Sequence, residues 1–152
     1  MENKLKTALS DIKSGAPIEE ASRDVDWKDF EGLVAEVLES KNFEVVRNFR
    51  MKKPTMEIDV VGIHLGTAVL IDCKHWKRMS NSALNEIVRK QVDRVRRYAD
   101  EISDIMTVPV IVTLHQEQIS FINKVPIVPI MQLSSFLDEL YGNLEQIKPI
   151  EK

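Results

Sequence analysis

The chain has 152 residues, of which 43% are hydrophobic and 30% charged, and its net charge is −3. These values are ordinary for a globular protein with a substantial core, and a single cysteine excludes an intrachain disulfide and suits a reducing compartment. No apolar stretch is long enough to span a bilayer and the first residues lack a secretory signal, so we expect a cytoplasmic protein with no membrane partner.

Positive charge is concentrated in two segments of the sequence. Residues 1–40 hold five Lys or Arg against ten Asp or Glu, whereas residues 74–97 hold eight Lys or Arg against two acids. Residues 47–53 add four basic side chains and no acid. Clustered positive charge is typical of a surface that binds a phosphate backbone, although two solvated basic faces would give the same pattern.

The first part of the chain shows no catalytic motif. Residues 2–14 have the spacing of a short amphipathic helix, and Gly15 is suited to end it. We therefore expect residues 1–25 to form an N-terminal accessory helix and residues 26–152 to form a single globular domain.

The next predicted element is the helix WKDFEGLVAEVLESK, with Asp26 as its N-cap and an end near Asn42. Glu31 lies inside the apolar face of this helix, four residues after Trp27 and three before Val34. An acid on the packed side of a helix is either at the rim of the packed face or part of a site. The spacing alone leaves both interpretations open.

A strand over residues 43–51 and a basic loop over 52–55 lead to the most informative segment, residues 56–78, MEIDVVGIHLGTAVLIDCKHWKR. It predicts two strands joined by a tight turn at Leu65 and Gly66. This register places Asp59 opposite Asp72 and Glu57 opposite Lys74 on one face of the hairpin. The other face would carry the apolar side chains, which are Ile58, Val60, Val69, Ile71 and Cys73.

The hairpin acids have two interpretations. Charged residues often form the solvated face of a half-covered antiparallel sheet. Here, however, the runs VVGI and AVLI are apolar at consecutive positions, which indicates strands covered on both faces. Acids at the end of such strands are costly to bury without a counter-ion, so we favour a site, and oxygen ligands of this kind suit a divalent cation.

A second amphipathic helix is predicted from about Ala83 to Ile102, with Gln91 in its apolar stripe, either at the rim or as part of the site. Strands over 106–114 and 127–131 follow, separated by a loop, and a terminal helix is expected to begin at Ser134 or Ser135. The order helix, three strands, helix, strand, strand, helix predicts a mixed sheet flanked by helices.

Together these residues resemble the PD-(D/E)xK nuclease superfamily, most closely the Mrr-type domains of type IV restriction endonucleases and more distantly archaeal Holliday-junction resolvases. The matching text is DFEGLVAEVLESKNFEVV, EIDVVG and VLIDCKHW, followed by the helix that bears Gln91. The resemblance covers about residues 26–131. It implies an α/β fold, a restriction-endonuclease-like mixed β-sheet flanked by helices, with an αβββαβ core and extra helices at both ends.

The resemblance also implies a metal site. Asp59 and Asp72 match the two acids that hold Mg²⁺, for which Mn²⁺ can substitute, and the backbone carbonyl of Cys73 completes the coordination. Glu31 matches the acid of the first helix, which joins the metal shell directly or through water.

Two further residues match the motif, and two positions depart from it. Lys74 matches the lysine that orients or activates the attacking water, and Gln91 matches the glutamine that follows the motif in this branch. Residue 58 is Ile where the motif has proline. Asp72 is one methylene shorter than the usual glutamate, which retracts the ligand and puts activity in question.

The resemblance therefore implies a Mg²⁺-dependent endonuclease that hydrolyses phosphodiester bonds in DNA and acts as a homodimer. His64 and His75 are not expected to be catalytic. An alternative is a DNA-binding module of the same fold that does not cut and serves as a scaffold or specificity subunit; a third possibility is a structural protein with a solvated hairpin. The side chains expected to contact DNA are Arg50, Lys52, Lys53, Lys77, Arg78, Arg89, Arg96 and Arg97.

Overall fold

The computed structural model describes residues 27–52, 54–74, 80–102, 105–114 and 118–140. This part of the chain forms three helices and six strands. The helices are α1 (Trp27–Ser40), α2 (Asn81–Glu101) and α3 (Ile130–Asp138); the strands are β1 (Glu44–Met51), β2 (Met56–His64), β3 (Thr67–Lys74), β4 (Met106–Thr113), β5 (Ser120–Ile122) and β6 (Val125–Pro129).

The six strands form one mixed sheet in the order β1-β2-β3-β4-β6-β5. The three central strands, β3, β4 and β6, are parallel, and the outer pairs are antiparallel. One face of the sheet packs against α1 and α3, and the other packs against α2. Because helices cover both faces, β3 and β4 are buried along almost their whole length. The predicted α/β architecture is confirmed.

The β2–β3 hairpin has the predicted register near its turn. Pairing runs from His64↔Thr67 to Val60↔Ile71, and both turn residues, Leu65 and Gly66, have positive φ angles, as a two-residue hairpin turn requires.

Pairing between β2 and β3 stops after Val60, while β2 continues to pair with β1. Glu57 pairs with Arg50 of β1, so the predicted position of Glu57 opposite Lys74 is wrong. Ile58 packs in the apolar cluster beneath α2, whereas Val60 packs in the cluster beneath α1. The prediction that both side chains lie on the same face is therefore wrong. We call the place where the two strands separate the fork. Asp59 lies at the fork on β2, and Asp72 lies at the fork on β3.

The last third of the described chain differs from the prediction in its element bounds. The predicted loop before the last strand contains the short strand β5, joined to β6 through Asn123 and Lys124, which both have positive φ angles. The last strand ends at Pro129, and α3 begins there rather than at Ser134 or Ser135. Pro129 has the extended backbone of an N-cap residue, so the chain turns directly from strand to helix.

The predicted N-terminal helix and Asp26, the predicted N-cap of α1, lie outside the described residues. Among the helices that are described, none combines the length and the apolar character needed to cross a membrane.

Candidate active site

The fork brings the two predicted acids of the hairpin together. Asp59 Oδ2 accepts a hydrogen bond of 2.9 Å from the backbone N–H of Cys73, the residue that follows Asp72. The Asp59 carboxylate thus accepts a hydrogen bond from a backbone N–H of β3 at the point where β2 no longer pairs with β3. Lys74 follows as the last residue of β3. The separation of the strands therefore opens a position for two acids and a lysine at the end of a buried strand.

Asp72 is the most confined acid of this group, with only 5% of its surface exposed. Its Oδ2 lies 3.4 Å from Lys74 Nζ but has no hydrogen bond, and its Oδ1 lies 3.9 Å from Arg94 Nη1. The positive charges of Lys74 and Arg94, rather than well-formed hydrogen bonds, therefore offset the negative charge of Asp72. A buried carboxylate oxygen without a hydrogen bond is costly, and a hard cation is a ligand that suits it.

Burial strongly perturbs the pKa of Asp59. Burial of its carboxyl raises its pKa from 3.8 to about 7; the hydrogen bond from Cys73 opposes the rise, and Asp72 adds to it through charge and hydrogen bonding, with a smaller contribution from the charge of Glu31. Near neutral pH the pair thus resists carrying two negative charges. Burial likewise raises the pKa of the Cys73 thiol well above its ordinary value.

Gln91 lies on the α2 side of β3 and is completely buried. Its Nε2 donates a hydrogen bond of 2.8 Å to the carbonyl of Leu70, and its Oε1 accepts one of 3.2 Å from Arg94 Nη1. Gln91 is thus connected to Asp72 through Arg94. The interpretation of Gln91 as a rim residue is excluded.

Glu31 is also buried, with 2% of its surface exposed, so it does not lie at a rim. Its Oε1 is 3.9 Å from Arg47 Nη2, and the same nitrogen donates a hydrogen bond of 3.1 Å to the carbonyl of Lys28. Glu31 is near enough to Asp59 to affect its pKa, but it lines a different cleft. Its participation in a metal shell stays a prediction.

Three clefts surround these residues. The fork cleft, of about 500 Å³, is lined by both fork acids, Lys74 and basic residues of α2. The α2 cleft, of about 250 Å³, adjoins it, and both clefts are lined by Asp72, Lys74, Lys90 and Arg94. The β1 cleft, of about 630 Å³, contains Glu31 and meets the fork cleft at Glu57, which lines both.

The basic residues predicted to contact DNA have different surroundings. Arg89 is paired with Glu86 and Asp93 of its own helix, yet it lines the fork cleft. Arg97 donates hydrogen bonds to the carbonyls of Lys52 and Pro54 and thereby holds the β1–β2 loop.

The remaining predicted DNA contacts are more dispersed. Arg50 lines the β1 cleft and is paired with Glu57, and Arg96 and Lys52 are exposed. The residues Lys53, Lys77 and Arg78 lie outside the described part of the chain, as do His75 and Trp76. His64 packs its ring against Phe43 with 5.2 Å between centroids, far along β2 from the fork.

Two arginines near the acids were absent from the predicted site. Arg94 contacts Gln91 and Asp72, and its position three residues after Gln91 on a helix is a sequence signal that could have found it. Arg47 compensates Glu31 from β1. Only the packing of β1 beside α1 brings those two residues together, so helical spacing could not reveal that contact.

The donor set at the fork fits a divalent cation. Within the described ranges, no three or more His, Cys, Asp or Glu side chains are grouped so that they would hold a metal ion. The fork supplies two carboxylates instead, one with an unbonded buried oxygen, and the predicted third protein ligand is a backbone carbonyl. Mg²⁺ is commonly bound by one or two carboxylates with water completing its shell.

The fold and the fork define a PD-(D/E)xK domain of the restriction-endonuclease-like class. The family model Mrr_cat, described as a restriction endonuclease, matches residues 22–116. The chain belongs to this family, and the predicted resemblance is confirmed.

Individual proteins similar to the chain are less informative about activity. An uncharacterized protein of Archaeoglobus fulgidus is 28% identical over 125 residues, which cover 79% of this chain and 95% of that protein. Protein VC1899 from Vibrio cholerae shares the fold with a TM-score of 0.51 and 14% identity over 84% of this chain, which spans only 36% of VC1899. The small subunit of the heterodimeric restriction endonuclease R.BspD6I aligns with a TM-score of 0.49 and 16% identity, over 97% of this chain and 82% of that subunit.

Proposed function

We propose that the protein is a divalent-metal-dependent endodeoxyribonuclease of restriction, repair or recombination type. The observation that carries this proposal is the pair of fork acids beside Lys74. Asp72 has a buried oxygen without a hydrogen bond, and burial raises the pKa of Asp59 to about 7, with a further contribution from the neighbouring acids. Perturbed acids in a cleft are typical of catalytic sites, and membership of a restriction endonuclease family supports this interpretation.

Asp59, Asp72 and the carbonyl of Cys73 would hold Mg²⁺ or Mn²⁺. When bound, the ion would polarise the phosphate and lower the pKa of a coordinated water. Lys74 extends its ammonium group from the end of β3 into the fork cleft, where it can orient the attacking water and offset charge at the phosphate. Glu31 would support the same centre through water from the far side of β2.

The fork cleft favours a polyanionic substrate. Four basic side chains line it, Lys74, Arg89, Lys90 and Arg94, together with four acids, which are the two fork acids, Glu57 and Asp93. A divalent cation on the fork acids would leave positive charge in excess, so a phosphate backbone would meet that charge on the α2 side of the metal site. Such contacts contribute affinity that falls as salt rises. DNA is therefore the substrate class we propose.

A cleavage assay tests this function. Supercoiled plasmid and branched DNA would be incubated with Mg²⁺ or Mn²⁺ and wild-type protein, Lys74→Ala or Asp59→Asn. We expect cleavage by the wild type and loss of cleavage in both variants, with Lys124→Gln in the exposed turn between β5 and β6 as an active control. Cleavage by the Lys74 and Asp59 variants at the wild-type rate would remove the assignment of the site.

A non-cutting DNA-binding module of the same fold is the second candidate. It is favoured by the shorter Asp72 and by the grouping of only two carboxylates at the fork within the described residues. This candidate predicts salt-sensitive DNA binding that Asp59→Asn leaves intact, with no turnover in either metal. Restoring the longer side chain with Asp72→Glu would then be the first variant to assay for cleavage.

We further propose a homodimer, because cleavage of both strands generally needs two sites related by a two-fold axis. Light scattering with and without DNA would measure this. We also propose that residues 26–152 form one domain and that residues 1–25 form an accessory helix. Deletion of residues 1–25 should then leave a folded protein.

A further inference from the structure

Arg94 lies where the fork cleft and the α2 cleft meet, since its side chain lines both. Gln91 accepts a hydrogen bond from its Nη1 at 3.2 Å, and the Gln91 amide is itself oriented by its hydrogen bond to the Leu70 carbonyl of β3. A buried side chain anchored to the central sheet thus fixes the direction of the guanidinium toward Asp72.

The contact between Arg94 and Asp72 is loose. The Nη1 to Oδ1 distance of 3.9 Å is about 1 Å longer than a charge-assisted hydrogen bond. Among the described residues, Nη1 makes both contacts of the guanidinium, so Nε and Nη2 remain for a ligand. A planar guanidinium with parallel donors matches the geometry of a phosphate.

The other arginines of α2 are less suited to this role. Arg89 is paired with Glu86 and Asp93, and Arg97 is bound to the β1–β2 loop. Arg96 is exposed and lines neither cleft. Arg94 alone among these four points toward the acids while keeping donors for a ligand.

We propose that Arg94 binds a phosphate of the DNA strand at the fork, and that its guanidinium leaves Asp72 for that phosphate when a divalent cation binds Asp72. Gln91 is then a positioning residue that acts through Arg94. The exchange keeps Asp72 compensated in both states, by Lys74 and Arg94 before the cation binds and by Lys74 and the cation afterwards. This inference rests on the proposed nuclease function and adds a substrate contact to it.

DNA affinity tests the phosphate contact. Binding of a labelled duplex would be measured in Mg²⁺ in the Lys74→Ala background, in which the DNA stays intact. Adding Arg94→Ala should raise Kd about tenfold to a hundredfold, the range for a lost hydrogen bond to a charged group, and Arg94→Lys should restore part of the affinity. Lys124→Gln removes one positive charge from the exposed turn between β5 and β6, which lines neither cleft, and should change Kd less than about threefold.

A double-mutant cycle tests the role of Gln91. Gln91→Met removes the amide at nearly constant volume and should weaken DNA binding when Arg94 is present, but add little in the Arg94→Ala background. Purely structural damage by Gln91→Met would weaken binding equally in both backgrounds, and this additivity would overturn the positioning role.

The metal dependence of stability tests the exchange without requiring activity. Removing Arg94 removes a competitor for Asp72, so the Mg²⁺ concentration that gives the half-maximal rise in Tm should fall about two- to fivefold in Arg94→Ala. It should be unchanged in Arg96→Ala. Arg94→Gln, which preserves more of the packing, serves as the second variant if alanine impairs folding.

The outcomes separate this inference from the nuclease proposal. If the wild type cuts DNA but Arg94→Ala matches Lys124→Gln in Kd and Arg96→Ala in Mg²⁺ midpoint, the inference is overturned and the nuclease stands. If the wild type neither cuts nor binds DNA, the proposed function fails and the inference fails with it. Weaker DNA binding together with a lower Mg²⁺ midpoint in Arg94→Ala supports the inference.

Discussion

Asp59→Asn should make the metal-free protein more stable at pH 8, although it removes a proposed catalytic residue. The folded protein raises the pKa of Asp59 from 3.8 to about 7, so folding favours the protonated carboxyl. The associated stability is complete below pH 3.8 and is lost as the pH rises through 7. Asn keeps an oxygen for the Cys73 N–H and never ionises, so it avoids this loss.

The magnitude follows from the same pKa. The full change corresponds to about 4 kcal/mol, but Asp59 is only half-buried, so solvent screens its charge and we expect about 1–2 kcal/mol at pH 8. For a chain of this size that is a rise in Tm of roughly 2–8 °C.

Urea unfolding between pH 4 and pH 8 in the presence of EDTA would measure the effect. Asp100→Asn, an exposed acid on α2, controls for the change in net charge. The advantage of Asp59→Asn over the wild type should grow with pH and level off above pH 7. An advantage that is absent at pH 8, or that does not vary with pH, would refute the account of the fork acids.

Three further predictions concern the fold around the site. Gly62→Ala should destabilise the protein by about 1–3 kcal/mol, because a Cβ there would lie 3.0 Å from a methyl group of buried Leu38. The control is Gly32→Ala in α1, where a Cβ would have its nearest neighbour at 3.7 Å; this variant should be neutral or stabilising by up to about 1 kcal/mol. Equal losses of stability in urea unfolding of the two variants would contradict the packing argument. Arg97→Ala should release the β1–β2 loop and make it several-fold more sensitive to trypsin, whereas an unchanged cleavage rate would show that the loop is held by other contacts. The Cys73 thiol, buried and with a raised pKa, should react with Ellman's reagent only after unfolding, and rapid reaction in the native protein would show that β3 is accessible.

Much of the fold could be predicted because the relevant signals are local. The turn at Leu65 and Gly66 lies between two apolar runs, and a two-residue turn fixes the register that the structure shows. The consecutive apolar residues of β2 and β3, VVGI and AVLI, correctly indicated strands covered on both faces. Such patterns are determined by residues near one another in sequence.

The fork itself could not be predicted from the hairpin sequence. Whether β2 stays with β3 beyond Val60 depends on its pairing with β1, where Phe49 and Arg50 continue the ladder and Asn48 adopts a positive φ angle. β1 and β3 lie on the two sides of β2, and the pattern of apolar residues within β2 does not show which of them it pairs with beyond Val60. The same limit applies to β5, whose three residues are too few to show an alternating pattern.

The candidate site shows a similar division. The hairpin register up to Val60↔Ile71 was sufficient to place Asp59 near Asp72 and Lys74, although the predicted pairing of Asp59 directly opposite Asp72 does not form. The buried positions of Glu31 and Gln91 required the packing of two helices on opposite faces of the sheet. The contact of Arg94 with Asp72 depends on the angle at which α2 crosses β3, and no sequence pattern specifies that angle.

The most direct test of the central claim is cleavage of plasmid and branched DNA in Mg²⁺ and in Mn²⁺, with the wild type beside Lys74→Ala. The account predicts cleavage by the wild type in the presence of either metal, none with EDTA, and none by the lysine variant. Bound but uncut DNA in both metals would contradict a nuclease and favour the non-cutting module, and equal cleavage by Lys74→Ala would show that the reaction does not occur at the fork.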